Sequence, residues 1–270
     1  MKRLVLPSVA ALGWAALAWL CVHLLVSLSG ALSPNSEGDI VRLGGASAIA
    51  FLLVTFGVLE VHERGAPLRR SLALRPTHPL LLLIGIGLGA SLKLPAEALR
   101  ELMERQWPSS DTELLQRTAL FRSDTLGAIL ALLVVACLVS PLVEEIFFRG
   151  ALYGRLARVS APAAASVSGL AFVLAHSDFR AWPALAVVAA ALGMLRALGG
   201  SLLPCIALHV AFNTVGVLGL VTRTTTPTSA LNAPVSLVLT SWAFAGVLLV
   251  GAARLANDDI TARARKEDEA

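Results

Sequence analysis

Long unbroken apolar blocks dominate this chain, and they restrict its fold more than any single motif. Segments of about 18 or more mostly apolar residues are long enough to cross the hydrocarbon layer of a bilayer. Eight such candidates lie near 7–30, 41–61, 79–100, 125–148, 161–177, 183–198, 201–221 and 233–254. The fifth and sixth are short or interrupted by Gly and Pro, which makes them the weakest of the set. Of the 270 residues, 56% are hydrophobic and 15% charged. A soluble domain carries roughly 25% charged residues, so water is not the solvent for most of this chain. The expectation is an all-α, polytopic integral membrane protein of about eight transmembrane helices.

The first apolar run follows Met1-Lys2-Arg3, as a secretory signal does. It is too long for the apolar region of such a signal and lacks a persuasive small-residue cleavage site, so a retained helix is expected. Basic residues set orientation. The stretch HERGAPLRRSLALRPTH, 62–78, is strongly basic, whereas SPNSEGD, 33–39, has no base. With the N-terminus inside, most of the Lys and Arg fall on the inner side, which places both termini in the cytoplasm. Abundant Ala and Arg in place of Lys suggest a bacterial inner membrane. The formal net charge of +4 is then a topology signal, and no folded soluble region carries the clustered basic face that a nucleic acid needs. Residues 1–256 read as one membrane-embedded helical domain, and the mixed-charge segment 257–270 reads as a solvated cytoplasmic tail. TRTTTPTSALNAP, 222–234, is a plain polar loop. The 100–124 loop is amphipathic on either side of WPSS and suits the membrane interface. No internal repeat supports a transporter built from inverted halves.

Cys21, Cys137 and Cys205 sit in apolar segments, form no CxxC pair and are odd in number, so no disulfide framework is expected. Cys205 precedes His209 by four residues, but no activating acid lies on the same helix to make the pair a nucleophilic site.

Charge at bilayer depth costs about 2.5–3.5 kcal/mol per residue on insertion scales, so the polar residues in these blocks are functional candidates. In SPLVEEIFFRG, Glu145 and Arg149 are four apart and share a helix face. Glu144 is turned about 100° from Glu145 and is not neutralised by the same arginine. One carboxylate is paired and the other is left available. Read blandly, this is a charge cluster at the inner water boundary. The stretch IFFRGALYGRLARV has no proline, however, and continues the helix to about 157, which draws Glu144 away from that boundary. Pro141 kinks the entry. In FVLAH, Phe172 and His176 share a face, and in HVAFN, His209 and Asn213 do. Polar glue between helices is the alternative for that last pair. Lys93 and Glu97 read as a snorkelling pair near a helix end, and His23 stands alone in the first segment.

In order, EEIFFR, FVLAH and HVAFN resemble the EExxxR, FxxxH and HxxxN motifs of the CAAX protease and bacteriocin-processing family, also called the abortive-infection family. These are intramembrane proteases and include the type II CAAX prenyl endopeptidases. The match runs from 140 to about 216. The resemblance implies a glutamate-dependent peptidase without a cofactor. It implies that Glu144 and His176 activate water, that His209 and Asn213 form an oxyanion hole, and that Glu145 and Arg149 support the first glutamate. A substrate would be a membrane-associated peptide of CAAX, leader or C-terminal sorting type. Glu144 and His176 meet only if the fourth helix runs to about 157. Two other readings stay open: a zinc metalloprotease with Glu144, His176 and His209 as ligands, and a non-catalytic immunity, scaffold or transporter component.

Overall fold

The computed structural model describes residues 2–32, 39–120, 125–222 and 233–268. The base-free stretch 33–38 and most of the polar loop expected at 222–234 lie outside the described residues. The chain is all-α. Helix α1 spans Lys2–Leu32, α2 Ile40–His62, α3 Pro79–Gln106 and α4 Asp111–Leu120. A broken but continuous helix, α5, covers Leu126–Ala157. It is followed by α6 (Ala161–Leu174), α7 (Trp182–Gly199), α8 (Leu203–Thr222) and α9 (Val235–Asp268). Seven of these are long and apolar enough to cross a membrane, and α6, at 14 residues, is a shorter apolar helix. The protein is a polytopic integral membrane protein.

Local chemistry explains the boundaries. The Asp39 side chain accepts hydrogen bonds from the amides of Val41 and Arg42 at the start of α2. Thr125 and Ser160 do the same for α5 and α6. Gly200, at φ 60°, ends α7 in the left-handed conformation that glycine adopts at low cost. The first half of the 100–124 segment continues α3 to Gln106, so the spanning helix is longer than the sequence pattern suggested.

Two features of the fold position the site. First, α5 widens into π-helical turns at Leu133–Val139 and Ile146–Leu152, on either side of the α-helical turn and a half that carries both glutamates. Pro141 accounts for the first. Its ring has no N–H to give and clashes with the carbonyl four residues back, so the preceding turn opens. Second, α3 lies against α8 at glycine-only distances. A Cβ on Gly85 would come within 2.6 Å of the Pro204 carbonyl oxygen, and one on Gly89 within 2.2 Å of that of Leu208. In lipid, where no hydrophobic force drives helices together, such backbone approach maximises packing. It clamps the helix that carries His209.

Apolar side chains surround the site. Phe147, Phe148 and Phe172 pack together with Phe51 in one buried cluster, and Leu88, Leu192, Leu195 and Leu208 form another.

Candidate active site

The depth of each polar residue follows from helix length. At 1.5 Å per residue, Glu144 lies roughly 20 Å back along α5 from Ala157, and α6 rises about 21 Å from the same face before it ends. Because α6 is short, His176, two residues past its last turn, sits at the level of Glu144 rather than at the opposite surface. The continuation of α5 to Ala157, which the sequence reading required, is present. Helix α8 starts deep for a different reason. The loop before it is tied to the 72–75 segment by Leu202 N–H to the Ala73 carbonyl and by the Ser201 hydroxyl to the Arg75 carbonyl. Leu72 in turn packs where a Cβ of Gly150 would point. From that level, six residues of α8 reach His209, and six residues of α5 reach Glu144.

The result is a buried charge cluster. Glu145 and Arg149 are fully buried, and Arg149 Nη1 donates to Glu145 Oε1 across 3.1 Å. The His209 ring, also buried, places Nδ1 at 2.9 Å from the same oxygen. An acceptor at that position requires the proton on Nδ1. The other ring nitrogen, Nε2, lies 3.9 Å from Glu144 Oε2. Sequence spacing turned Glu144 away from Glu145, and it does escape Arg149. The structure adds that both glutamates converge on one imidazole, at opposite nitrogens. Glu144 Oε2 is buried and has no hydrogen-bond partner among the described residues.

Phe172 organises the remaining members. Its ring meets His176 edge-on at 5.0 Å and His209 at 5.7 Å, and the Arg149 guanidinium lies 4.4 Å from its centroid. A guanidinium over an aromatic face is attracted by the ring's quadrupole, and more strongly so when desolvated. His176 Nδ1 is 2.9 Å from the Phe172 carbonyl oxygen, one turn back, which leaves Nε2 as the outward nitrogen. Asn213 is on the same face of α8 as His209, and its side-chain amide donates to the Ala136 carbonyl at 2.8 Å, inside the first π-helical turn. It shares no hydrogen bond with the glutamates.

The sequence reading missed one contributor. Arg196 of α7, which the sequence reading did not single out, is buried. It donates from Nε to the Arg149 carbonyl at 3.0 Å and lies 4.8 Å from the Tyr153 ring centroid. It satisfies a carbonyl in the second π-helical turn, directly below the Glu145–Arg149 pair. An arginine in an otherwise apolar run was the available signal. Lys93 pairs with Glu97 at 3.4 Å, but its ammonium lies 4.7 Å from the Phe212 ring centroid and so faces α8. Cys205 is fully buried, and its thiol donates to the Leu192 carbonyl. No group of three His, Cys, Asp or Glu side chains among the described residues is arranged to hold a metal ion.

Fold and site together define a multi-helix membrane protein with a charged, hydrogen-bonded centre deep in its apolar body. Residues 126–215 match the family described as type II CAAX prenyl endopeptidase Rce1-like, and the matched segment holds every residue of that centre. This match, which spans a third of the chain, supports a CAAX-type membrane protease in general. No curated protein and no solved structure matches the chain.

Proposed function

We propose that the protein is an intramembrane endopeptidase in which Glu144 and His176 activate a water molecule. The observation that carries the reading is the position of Glu144. Its Oε2 is buried, has no partner among the described residues, and stands 3.9 Å from His209 Nε2. That gap is longer than a direct hydrogen bond and suits a bridging water.

In this reaction Glu144 takes a proton from water, and the resulting hydroxide adds to the scissile carbonyl carbon. The carbonyl π electrons move to oxygen and form a tetrahedral oxyanion. His209 and Asn213 then stabilise that oxygen. With Nδ1–H committed to Glu145, the His209 ring donates from Nε2 only as imidazolium. Asn213 keeps one amide hydrogen beyond the one given to Ala136. Collapse of the intermediate breaks the C–N bond, and the proton held by Glu144 passes to the leaving amine. Glu145, Arg149 and Arg196 fix the wide turn of α5 so that Glu144 needs no reorganisation. Substrates in this reading are peptides at the membrane, of CAAX, leader or C-terminal sorting type. The protein works in a bacterial inner membrane with both termini cytoplasmic.

The test is Glu144→Gln in the purified full chain, reconstituted in liposomes and given a fluorogenic peptide with a farnesylated cysteine four residues from its C-terminus. Loss of turnover with unchanged membrane accumulation supports the proposal. Retained turnover refutes it. Loss in chelator with recovery on added zinc replaces it with a zinc mechanism through Glu144, His176 and His209. Comparing membrane proteomes of cells carrying the wild-type or Glu144→Ala chain identifies natural substrates as proteins that gain mass. If no protein changes and the Glu144→Gln chain keeps its biological role, the non-catalytic reading holds.

A further inference from the structure

His176 is the one proposed catalytic residue that lies beyond the end of its helix: α6 ends at Leu174, and His176 keeps only its N–H bond to the Val173 carbonyl at 3.2 Å and its Nδ1 contact with the Phe172 carbonyl at 2.9 Å. From Ser177 onward the segment to Ala181 is tied by its own turn and by bonds to other elements. The Trp182 indole donates to the His176 carbonyl at 2.8 Å. The Asp178 carboxylate accepts from the Arg180 amide at 3.1 Å and closes the turn Phe179–Ala181. It also takes Arg100 Nη2 of α3 at 2.9 Å. Ser177 Oγ lies 3.5 Å from His23 Nε2 of α1.

Arg180 is the hub. Its Nε donates to the Trp107 carbonyl at 2.6 Å and its Nη2 to the Pro108 carbonyl at 3.3 Å. Its two Nη groups meet both oxygens of Glu113, at 3.4 and 3.3 Å. The Phe179 ring packs edge-on against Trp107 at 6.1 Å. The side chain is only 11% exposed although it belongs to a polar connection. A single exposed ion pair contributes little to stability. A guanidinium fork that binds two carbonyls and a carboxylate together fixes geometry instead.

We infer that the segment from Trp107 to Glu113, the connection after α3 together with the first turn of α4, is a strap that sets the position of His176, and that Arg180 is the positioning residue through which it acts. This rests on the proposed role of His176. The strap gives the amphipathic 100–124 segment a task that its sequence pattern did not disclose.

The experiment uses the full chain in liposomes with the same farnesylated peptide. Misplacement of a catalytic group by about 1 Å costs on the order of 100-fold in rate. Arg180→Ala is therefore expected to lower kcat 10- to 100-fold with little change in KM. Arg180→Lys, which keeps the charge but not the fork, is expected to recover part of that loss. Hydrogen–deuterium exchange, which needs no substrate, is expected to speed up in Arg180→Ala at residues 175–182 and not at the amides of α5. Wild-type kcat in Arg180→Ala, unchanged exchange at 175–182, or faster exchange throughout the chain overturns the inference. Should Arg180→Ala fail to accumulate, Glu113→Ala removes one limb of the fork and is expected to give a several-fold loss in kcat with the same local exchange. Normal kcat and exchange in that variant also overturn the strap. His176→Ala separates the two claims. If it retains full activity, the proposed mechanism fails while the exchange data still report whether the strap holds the segment.

Discussion

The two halves of the candidate site are built differently. Glu144, Glu145, Arg149 and His209 stand on the long helices α5 and α8, and Glu145, Arg149 and His209 are locked together by buried charge-assisted bonds. His176 stands on a short connection whose conformation is imposed by α1, α3, α7 and the 107–113 segment. In the first half, an error in geometry costs stability, because it strands a buried charge. In the second, under the proposed role of His176, it is expected to cost rate. Under the proposed mechanism, one catalytic partner is rigid and the other is held by the outer connection, so the second can be tuned without unfolding the first.

Variants break this contrast at graded points. The largest stability effect is expected for Arg149→Met. It removes a cation from beside buried Glu145, and losing one partner of a buried pair costs about 3–5 kcal/mol; thermal unfolding in detergent measures it. Asn213→Ala is expected next, through rate rather than stability, with loss of one oxyanion donor reducing kcat on the order of 100- to 1,000-fold, or about 2.7–4 kcal/mol. Gly89→Ala forces a Cβ against the α8 backbone. An overpacking cost of about 1–3 kcal/mol follows, visible as a lowered melting temperature and, if His209 shifts, a lowered kcat. The smallest effect belongs to Arg64→Ala, since the Arg64–Glu60 pair is solvent-exposed at 3.9 Å. Its melting shift is expected to correspond to less than about 0.5 kcal/mol.

The loop-borne half also has an acid limit. Burial alone would raise the Asp178 carboxyl, but the bonds from Arg100 and Arg180 outweigh it and hold the group below its ordinary 3.8. A depressed carboxylate stabilises the fold above its unfolded value and loses that contribution as pH falls through the lower folded one. Protection at 175–182, the exchange rate corrected for the intrinsic pH dependence of free amides, is therefore expected to be flat above about pH 5 and to fall only below pH 3.8, toward the folded value.

Much of the helix-borne half was legible in the sequence. Intrahelical periodicity pairs Glu145 with Arg149, and the lack of proline after Ile146 extends α5 far enough to bring Glu144 to the depth of His176. What periodicity cannot report is contact between helices. The convergence of both glutamates on His209 depends on the level at which α8 begins, which the pairing of Leu202 with Ala73 sets. The tether of Asn213 to Ala136 depends on a carbonyl exposed to it by the π-helical turn that Pro141 induces. The strap was least legible, since its strongest bonds run from one side chain to two backbone carbonyls 72 and 73 residues away.

The central claim is that adjacent carboxylates have divided labour, with Glu144 for chemistry and Glu145 for architecture. Purified Glu144→Gln and Glu145→Gln chains, each measured for melting temperature and for turnover of the farnesylated peptide, address it most directly. The account predicts that Glu144→Gln melts close to wild type and does not turn over, while Glu145→Gln melts clearly lower. Turnover by Glu144→Gln, or a Glu145→Gln chain as stable as wild type, would contradict it.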